Sequence, residues 1–557
     1  MKKIIQKYCM VGLLAGSLAG CDFIDCDESS DYKKEDIFTS YDRTKQMATN
    51  VYSFLPDGFC NIDGAMQEAA TDDAVHVYKT SRIQRFVDGT WGANSVVDDV
   101  WSHYYEGIRA ANLYLKEAEG LTFDDWKFND NYEAWMKSFE YYKYEVRFLR
   151  AFYYFELIKR YKNVPLVDKV LTPEEANLVP PSSFEIVAKF ILDECDELKR
   201  KLPPNFNDGF MDKETGRITR GAAMALISRL KLYQASPLYS ADSPEKWKEA
   251  ADAAYELIGQ ASTLGYGLGK YADLFDENNN KQKEVILARP VAESGTFEQS
   301  NFPMGVQGGK TSTCPTENLV SAYEMAADGA PFDWENEAMR KNPYAGRDPR
   351  LAMTVACNGM AWPKDELQIW EGGANGLPIN NATVTGYYLK KYVNNDISFE
   401  SGATVTKRHH NWILFRYGEI LLNYAEAMAN AFSPSYKDGN KYPMSALDAV
   451  NELRGRSDVN MPAYPDDISK EDFLKRLKNE RRVELAFEGH RFWDVRRWKE
   501  LDKTTDIYKV RVWKEGTEVL YEKQLYGEHV VRDCMYFYPI ANTEKFKNES
   551  LIQNEGW

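Results

Sequence analysis

The sequence predicts a mainly α fold: a right-handed solenoid of helical hairpins that carries a loop-rich, minor-β region. Three observations predict it. Apolar residues recur at three- and four-residue steps, the period of one helix face; in EVRFLRAFYYFELIKRY they are Val146, Leu149, Tyr153 and Leu157. Small residues alternate with large ones in RGAAMALISRLKLYQASPLY (220–239) and RYGEILLNYAEAMANAF (416–432), the mixture that close helix–helix packing requires. Helical segments also come in pairs, interrupted by a stretch rich in Gly, Asn, Pro and isolated aromatics.

From the N-terminus, residues 1–20 combine a lysine-rich start, a short apolar stretch and small residues, the layout of a secretory signal and too short for a comfortable membrane span. Leu18-Ala19-Gly20-Cys21 resembles the bacterial lipobox, in which cleavage leaves the cysteine, Cys21, as a lipidated first residue. Residues 21–40 read as an acidic tether, with Asp22, Asp25, Asp27, Glu28 and Asp31 and no means of folding alone. Such a tether resembles the export signal that sends some lipoproteins to the outer face of the outer membrane. The helical part over 41–262 holds segments 97–118, 145–161, 182–202, 220–239 and 247–259. Over 263–412 short strands and long loops fit better than helices, and long ordered loops on a rigid scaffold are where binding sites gather. The part over 413–557 returns to helices at 416–432 and 444–456. The pairs look like degenerate tetratricopeptide repeats with irregular spacing and long insertions.

At 557 residues, 44% hydrophobic and 28% charged, the chain can bury a large core. Its formal charge is −16, and losing the first twenty residues, which hold three lysines and no acid, makes the balance more negative still. Such a surface repels phosphate backbones, so nucleic acid is not an expected partner. Aromatics are abundant, with 35 Tyr, 27 Phe and 13 Trp. Most must be core, and a surplus displayed in a groove would suit sugars, whose C–H faces stack on rings. With Cys9 and Cys21 set aside, six widely spaced cysteines include no CxxC or Cys/His cluster that would bind zinc, while one or two disulfides stay open.

NERRVELAFEGHRFWDVRRW (479–498) holds five arginines, four acids and a histidine. One reading is catalytic, because Glu484 and Glu488 lie one helical turn apart, as do His490 and Asp494. The other is a structural ion-pair network, with Glu480 and Glu484 answered by the arginines at 481 and 482 beside them, on a helix that Gly489 ends. The alternation of sign favours the network. His409-His410 has no partner at ligand spacing, and adjacent side chains point in different directions. FDENNN (275–280) reads as a solvated loop in preference to a calcium site. No GxSxG, HExxH or P-loop occurs. The expectation is no catalytic residue, no metal and no cofactor, although a glycosidase acid pair, which has no fixed motif, stays open.

Taken in order, the motifs resemble one family. GTWGANS (89–95), YYEGIRAANLYL (104–115), RFLRAFYYFELIKRYKNVPLV (147–167), GRITRGAAMALISRLKLYQASPLY (216–239), RDPRL (347–351), TGYYLKKY (385–392), RYGEILLNYAEA (416–427), the charged stretch and YFYPI…LIQNEGW (536–557) are similar to the SusD/RagB-like outer-membrane lipoproteins. The chain departs from that pattern at Ala541, Glu549 and Glu555, where prolines are usual, and at Glu317, where glutamine is usual. The resemblance implies a non-enzymatic, surface-facing lipoprotein that captures an oligo- or polysaccharide. It would deliver this ligand, as a hinged lid, to a TonB-dependent SusC-like transporter. Capture of peptides or glycoproteins is the variant within the family, and a tetratricopeptide protein-binding scaffold is the alternative outside it.

A sugar site needs flat rings for stacking and planar polar side chains for the hydroxyls. Trp91 lies in the turn-rich GTWGANS, where it could serve either framework or ligand. Asp72 and Asp73, in ATDDAVHV, are acceptors near it in sequence, with capping or hinge contacts as the alternative. Cys314 opens the TCPTENL loop, and Trp362 and Trp370 lie among Gly and Asn in the loop-rich region. These six are the candidate ligand-binding residues. Trp412, Trp493, Trp498 and Trp557 are expected in the core.

Overall fold

The computed structural model describes residues 37–206, 214–400 and 406–557. Cys21, the lipobox and most of the tether lie outside the described residues. The scaffold is built from ten helices, numbered here in chain order: α1 (Tyr41–Tyr52), α2 (Trp101–Glu117), α3 (Tyr132–Tyr161), α4 (Phe184–Lys201), α5 (Arg220–Ala235), α6 (Pro244–Leu264), α7 (Tyr417–Ala431), α8 (Ala446–Arg454), α9 (Lys470–Glu484) and α10 (Arg491–Arg497). From α2 to α8 each packs on the next in sequence, and α7 also packs on α9. This is the solenoid of helical hairpins that the periodicity predicts.

Local chemistry sets the ends. Ser183, Ser243, Ser445 and Ser469 each accept a hydrogen bond from a first-turn amide, and Asp448 completes a capping box with Ser445. Gly265 ends α6 with φ +85°, a conformation that only glycine adopts cheaply. Between helices, the small residues let backbones approach. A Cβ on Gly107 of α2 would stand 3.0 Å from Phe54 and Tyr153. The α3 helix begins thirteen residues before the predicted 145; its first half continues the same face, with Tyr132, Trp135, Phe139 and Tyr142 at three- and four-residue steps. From Val146 to Tyr161 nearly every side chain is buried, so this half runs through the centre of the core.

The loop-rich region is an excursion between α6 and α7, rooted on one antiparallel pair. Strand β2 (Val285–Ser294) pairs with β4 (Arg408–Arg416), from Val285 opposite Arg416 to Ser294 opposite Arg408. The alternation of β4 sends His410 inward to Glu298 Oε1 at 2.8 Å, while His409 faces outward near Glu293. In the FDENNN turn, Asn279 is buried and donates to the carbonyls of Leu274 and Asn411. A second pair joins the excursion to the N-terminal part: β1 (Ala74–His76) lies antiparallel to β3 (Thr313–Pro315).

The longest strand pair falls outside the predicted minor-β stretch. β5 (Asp506–Glu515) and β6 (Glu518–Glu528) form a hairpin closed by Gly516-Thr517, with Gly516 at φ +63°. Cys60, Cys195, Cys314, Cys357 and Cys534 are all free thiols.

Candidate ligand-binding cleft

The charged stretch 479–498 is the root of this site, and it lies inside the protein. Glu484 is fully buried and bonds Arg350 at 2.7 Å, Arg416 at 2.8 Å and Arg456 at 2.7 Å. Glu480 bonds Arg350 and Arg454, each at 2.6 Å. Glu488 bonds Arg416 at 2.7 Å and Lys391 at 2.8 Å. Burial alone would raise the pKa of these carboxyls, but the surrounding guanidinium groups outweigh it and hold all three below the usual range. The pairing differs from the local one predicted. The glutamates of α9 reach cations on distant segments, whereas Arg481 turns to Asp494, Arg482 to Asp73, and Arg497 to Glu426. A buried helix turns its charged side chains toward neighbouring elements, so the i,i+4 rule for exposed helices does not govern it. The network ties Arg350 and Lys391 of the excursion to the helical scaffold, which holds the loops in place.

Four of the six predicted ligand-binding residues are enclosed by protein. Trp91 is 2% exposed, its ring packed against Phe86 at 4.8 Å, Tyr538 at 5.3 Å and Trp557 at 4.6 Å. A loop tryptophan flanked by glycines here fills the core, because the C-terminal segment folds over it. Asp72 and Asp73 are buried too. Arg491 grips Asp72 through two bonds of 2.9 Å, and Arg482 bonds Asp73 at 2.6 Å. Burial opposes ionisation at Asp72, yet Arg482 and Arg491 lower its pKa to about 2; burial and the neighbouring Asp72 charge raise that of Asp73. Cys314 sits in β3 opposite Val75, wholly buried, with burial pushing its thiol up to about 11. The structure therefore does bring Asp72, Asp73 and Cys314 together across β1 and β3, but as framework. Trp370 is half-buried against the β5–β6 hairpin, with Lys514 Nζ 3.4 Å from its ring centre.

Trp362 alone of the six lines a cleft, of about 260 Å³, in the excursion. Its floor is a small apolar cluster in which Phe302 meets Trp362 edge-on at 5.9 Å and Phe399 at 6.0 Å. Trp362 is 2% exposed, as buried as Trp91, and its amide donates to the Asp365 carbonyl at 2.9 Å, so it builds the cleft floor without offering a ring face. Phe399 is half-buried and offers more of its ring. One wall is fixed by Asn375, whose side chain donates to the Met304 carbonyl at 2.9 Å and accepts from the Gln368 amide at 3.0 Å. Gly305 makes that contact possible: at φ +93°, a Cβ there would fall 2.1 Å from the Ala374 carbonyl oxygen. Gln307, Gln368, Lys364, Asp365, Glu366 and Glu400 complete the rim. Rings beside amides and carboxylates form a surface that can stack a sugar face and bond its hydroxyls. Sequence reasoning missed Phe302, Phe399, Gln307 and Gln368; isolated aromatics among Gly and Gln were the available signal.

A larger cavity, of about 440 Å³, lies deeper, between the helices and the segment 56–68. Four of its cations are already engaged: Lys159 and Arg160 with Glu156, Arg229 with Glu419, and Arg289 with Asp57. Lys159 and Arg160 also cover the ring of Trp493, at 4.7 and 4.9 Å. With most of its cations paired and the ring face of Trp493 covered, this cavity offers fewer free groups to a neutral polar ligand than the loop-borne cleft.

Fold and cleft define a class: a tetratricopeptide-like helical scaffold that presents a preformed polar and aromatic cleft on long loops. Comparison with known proteins then gives the family. The SusD family model matches residues 274–557, slightly more than half of the chain, and a second model, described as starch-binding associating with outer membrane, matches residues 22–232. The chain belongs to the SusD family. It is 22% identical to a SusD-like protein of Formosa agariphila over 545 residues, which cover 92% of this chain and 94% of that one. A SusD-like protein of Bacteroides fragilis NCTC 9343 shares the fold with a TM-score of 0.76 at 26% identity, over 94% of this chain and 99% of that one. A SusD-like carbohydrate-binding protein of the same strain gives a TM-score of 0.75 at 24% identity, over 93% and 100%.

Proposed function

We propose that the chain is a cell-surface glycan-binding lipoprotein, anchored through Cys21, that captures an oligo- or polysaccharide in the cleft bounded by Phe302, Trp362 and Phe399. It delivers that ligand, as a hinged lid, to a TonB-dependent SusC-like transporter of the outer membrane. The observation that carries this reading is the combination, in a SusD-family chain, of the half-buried Phe399 ring, backed by Phe302 and Trp362, with planar amides on a preorganised loop wall. The carbohydrate-binding relative from Bacteroides fragilis and the description of the model matching residues 22–232 support it. The rim chemistry supports capture without turnover. Asp365, Glu366 and Glu400 are exposed to water, whereas a glycosidase acid needs a desolvated carboxyl to hold its proton near neutrality.

The reading is tested by electrophoresis of the chain through gels containing purified starch, fructan, mannan or host glycans, with reducing ends assayed in parallel. Retardation by one glycan class without release of reducing ends is the expected outcome. Release of reducing ends, or equal mobility in every gel, contradicts it.

A further inference from the structure

The loop 121–131 exposes two aromatic rings, Phe128 almost wholly and Trp126 on one side. Phe128 is 89% exposed and Trp126 48%. The loop is nevertheless well braced. Phe123, at φ +50°, turns inward against Phe139 at 5.0 Å, and successive turns close through Trp126 N–H to the Phe123 carbonyl at 2.9 Å and Asn129 N–H to the Trp126 carbonyl at 2.8 Å. Its tip therefore holds Trp126 and Phe128 outward as a fixed feature, with Lys127 Nζ 5.2 Å from the Phe128 ring centre. Tryptophan beside lysine is the side-chain pair that favours a membrane–water interface: the indole lies at headgroup depth while the ammonium stays in water.

The position of the loop names its occupant. Tyr41, the first residue of α1, stacks on Trp135 at 5.2 Å and meets Phe123 at 5.7 Å, and Trp135 in turn touches Trp126 at 6.2 Å. The chain thus enters the described fold directly against this loop. Cys21 lies 16 residues before Ile37. Sixteen residues reach at most about 56 Å, so acyl chains on Cys21 would hold the loop within reach of their own leaflet.

We propose that loop 121–131 is an interfacial foot, with Trp126 and Phe128 seated in the headgroup region of the leaflet that holds the Cys21 acyl chains. It adds a second contact to the lipid anchor and fixes how the scaffold stands on the membrane. The inference rests on the lipid-anchor reading above.

The full chain, purified with its lipid from membranes, is placed on phosphatidylcholine vesicles with or without bromine on the upper acyl chain, and tryptophan emission is recorded. Brominated lipid is expected to quench part of the wild-type emission, and W126F is expected to lose that part. Both variants W126F and F128A should melt with wild type, because neither ring is in the core; F128A should also reduce the quenching. Mass analysis of the N-terminal peptide reports acylation independently. Acylated Cys21 with no quenching, or with quenching that survives W126F, overturns the foot alone. An unmodified Cys21 overturns the foot and the anchor reading together.

Discussion

Three guanidinium groups meet the carboxylate of Glu484, and each comes from a different segment: Arg350, Arg416 and Arg456. Charges removed from water this completely are tolerable only because every one is paired; deleting one partner of such a buried pair costs about 3–5 kcal/mol. Glu68 shows the opposite case. It is 2% exposed and bonds the Gly489 amide at 2.7 Å, and burial, with the nearby Asp73 charge, raises its pKa to about 7. A carboxyl raised in the folded state stabilises the fold when protonated, and that contribution is lost as pH rises from its unfolded value near 4.5 through about 7. Wild type should therefore lose up to about 3 kcal/mol relative to Glu68→Gln between pH 4.5 and 7, read by urea unfolding at both ends. Parallel stability profiles would refute the assignment. At this scale the sequence was informative about type and poor about partner. The sign alternation of 479–498 revealed an ion network, but its pairs run across more than a hundred residues, as from Glu484 to Arg350, and no local spacing encodes them. Trp91 and Asp72 likewise lie in a loop and look available until the C-terminal segment is folded onto them.

Among the elements, small residues decide how closely helices meet. Gly107 of α2 faces Phe54 and Tyr153, with no room for a Cβ beyond contact distance. Gly107→Val should therefore destabilise by about 1–3 kcal/mol through overpacking, lowering the thermal midpoint; an unchanged midpoint would mean that α2 and α3 can part without cost. Helix identity was legible wherever apolar residues followed one face, as in 145–161 and 182–202, while the capping serines Ser243 and Ser469 were a start signal left unused. The first half of α3 carries the same period at Tyr132, Trp135, Phe139 and Tyr142, a signal that the expected start at 145 left unused. The β5–β6 hairpin carried a readable signal that the helical expectation for 413–557 hid: IYKVRVWKEGTEVL alternates in polarity around a Gly-containing turn.

For the whole molecule, the informative feature is the division of labour between scaffold and excursion. The strands β2 and β4 and the buried ion network fix the roots of the loops, so the cleft wall at Gly305 and Asn375 is preformed and a ligand need not pay for ordering it. The loop-rich region was legible as a region, from its Gly, Asn and Pro content. Which of its aromatics faced inward was not, since Phe302 and Phe399 meet only through folding of segments nearly a hundred residues apart. The most direct measurement is calorimetric titration of the chain from residue 37 with the glycan that retards it, comparing wild type with Phe399→Ala and Gln307→Ala. Binding through this cleft predicts at least a tenfold weaker Kd for Phe399→Ala, about 1.4 kcal/mol, a smaller loss for Gln307→Ala, and an unchanged thermal midpoint for Gln307→Ala, with both variants folded at the titration temperature. A Kd that neither substitution moves would place the ligand elsewhere and contradict the cleft as the site of capture.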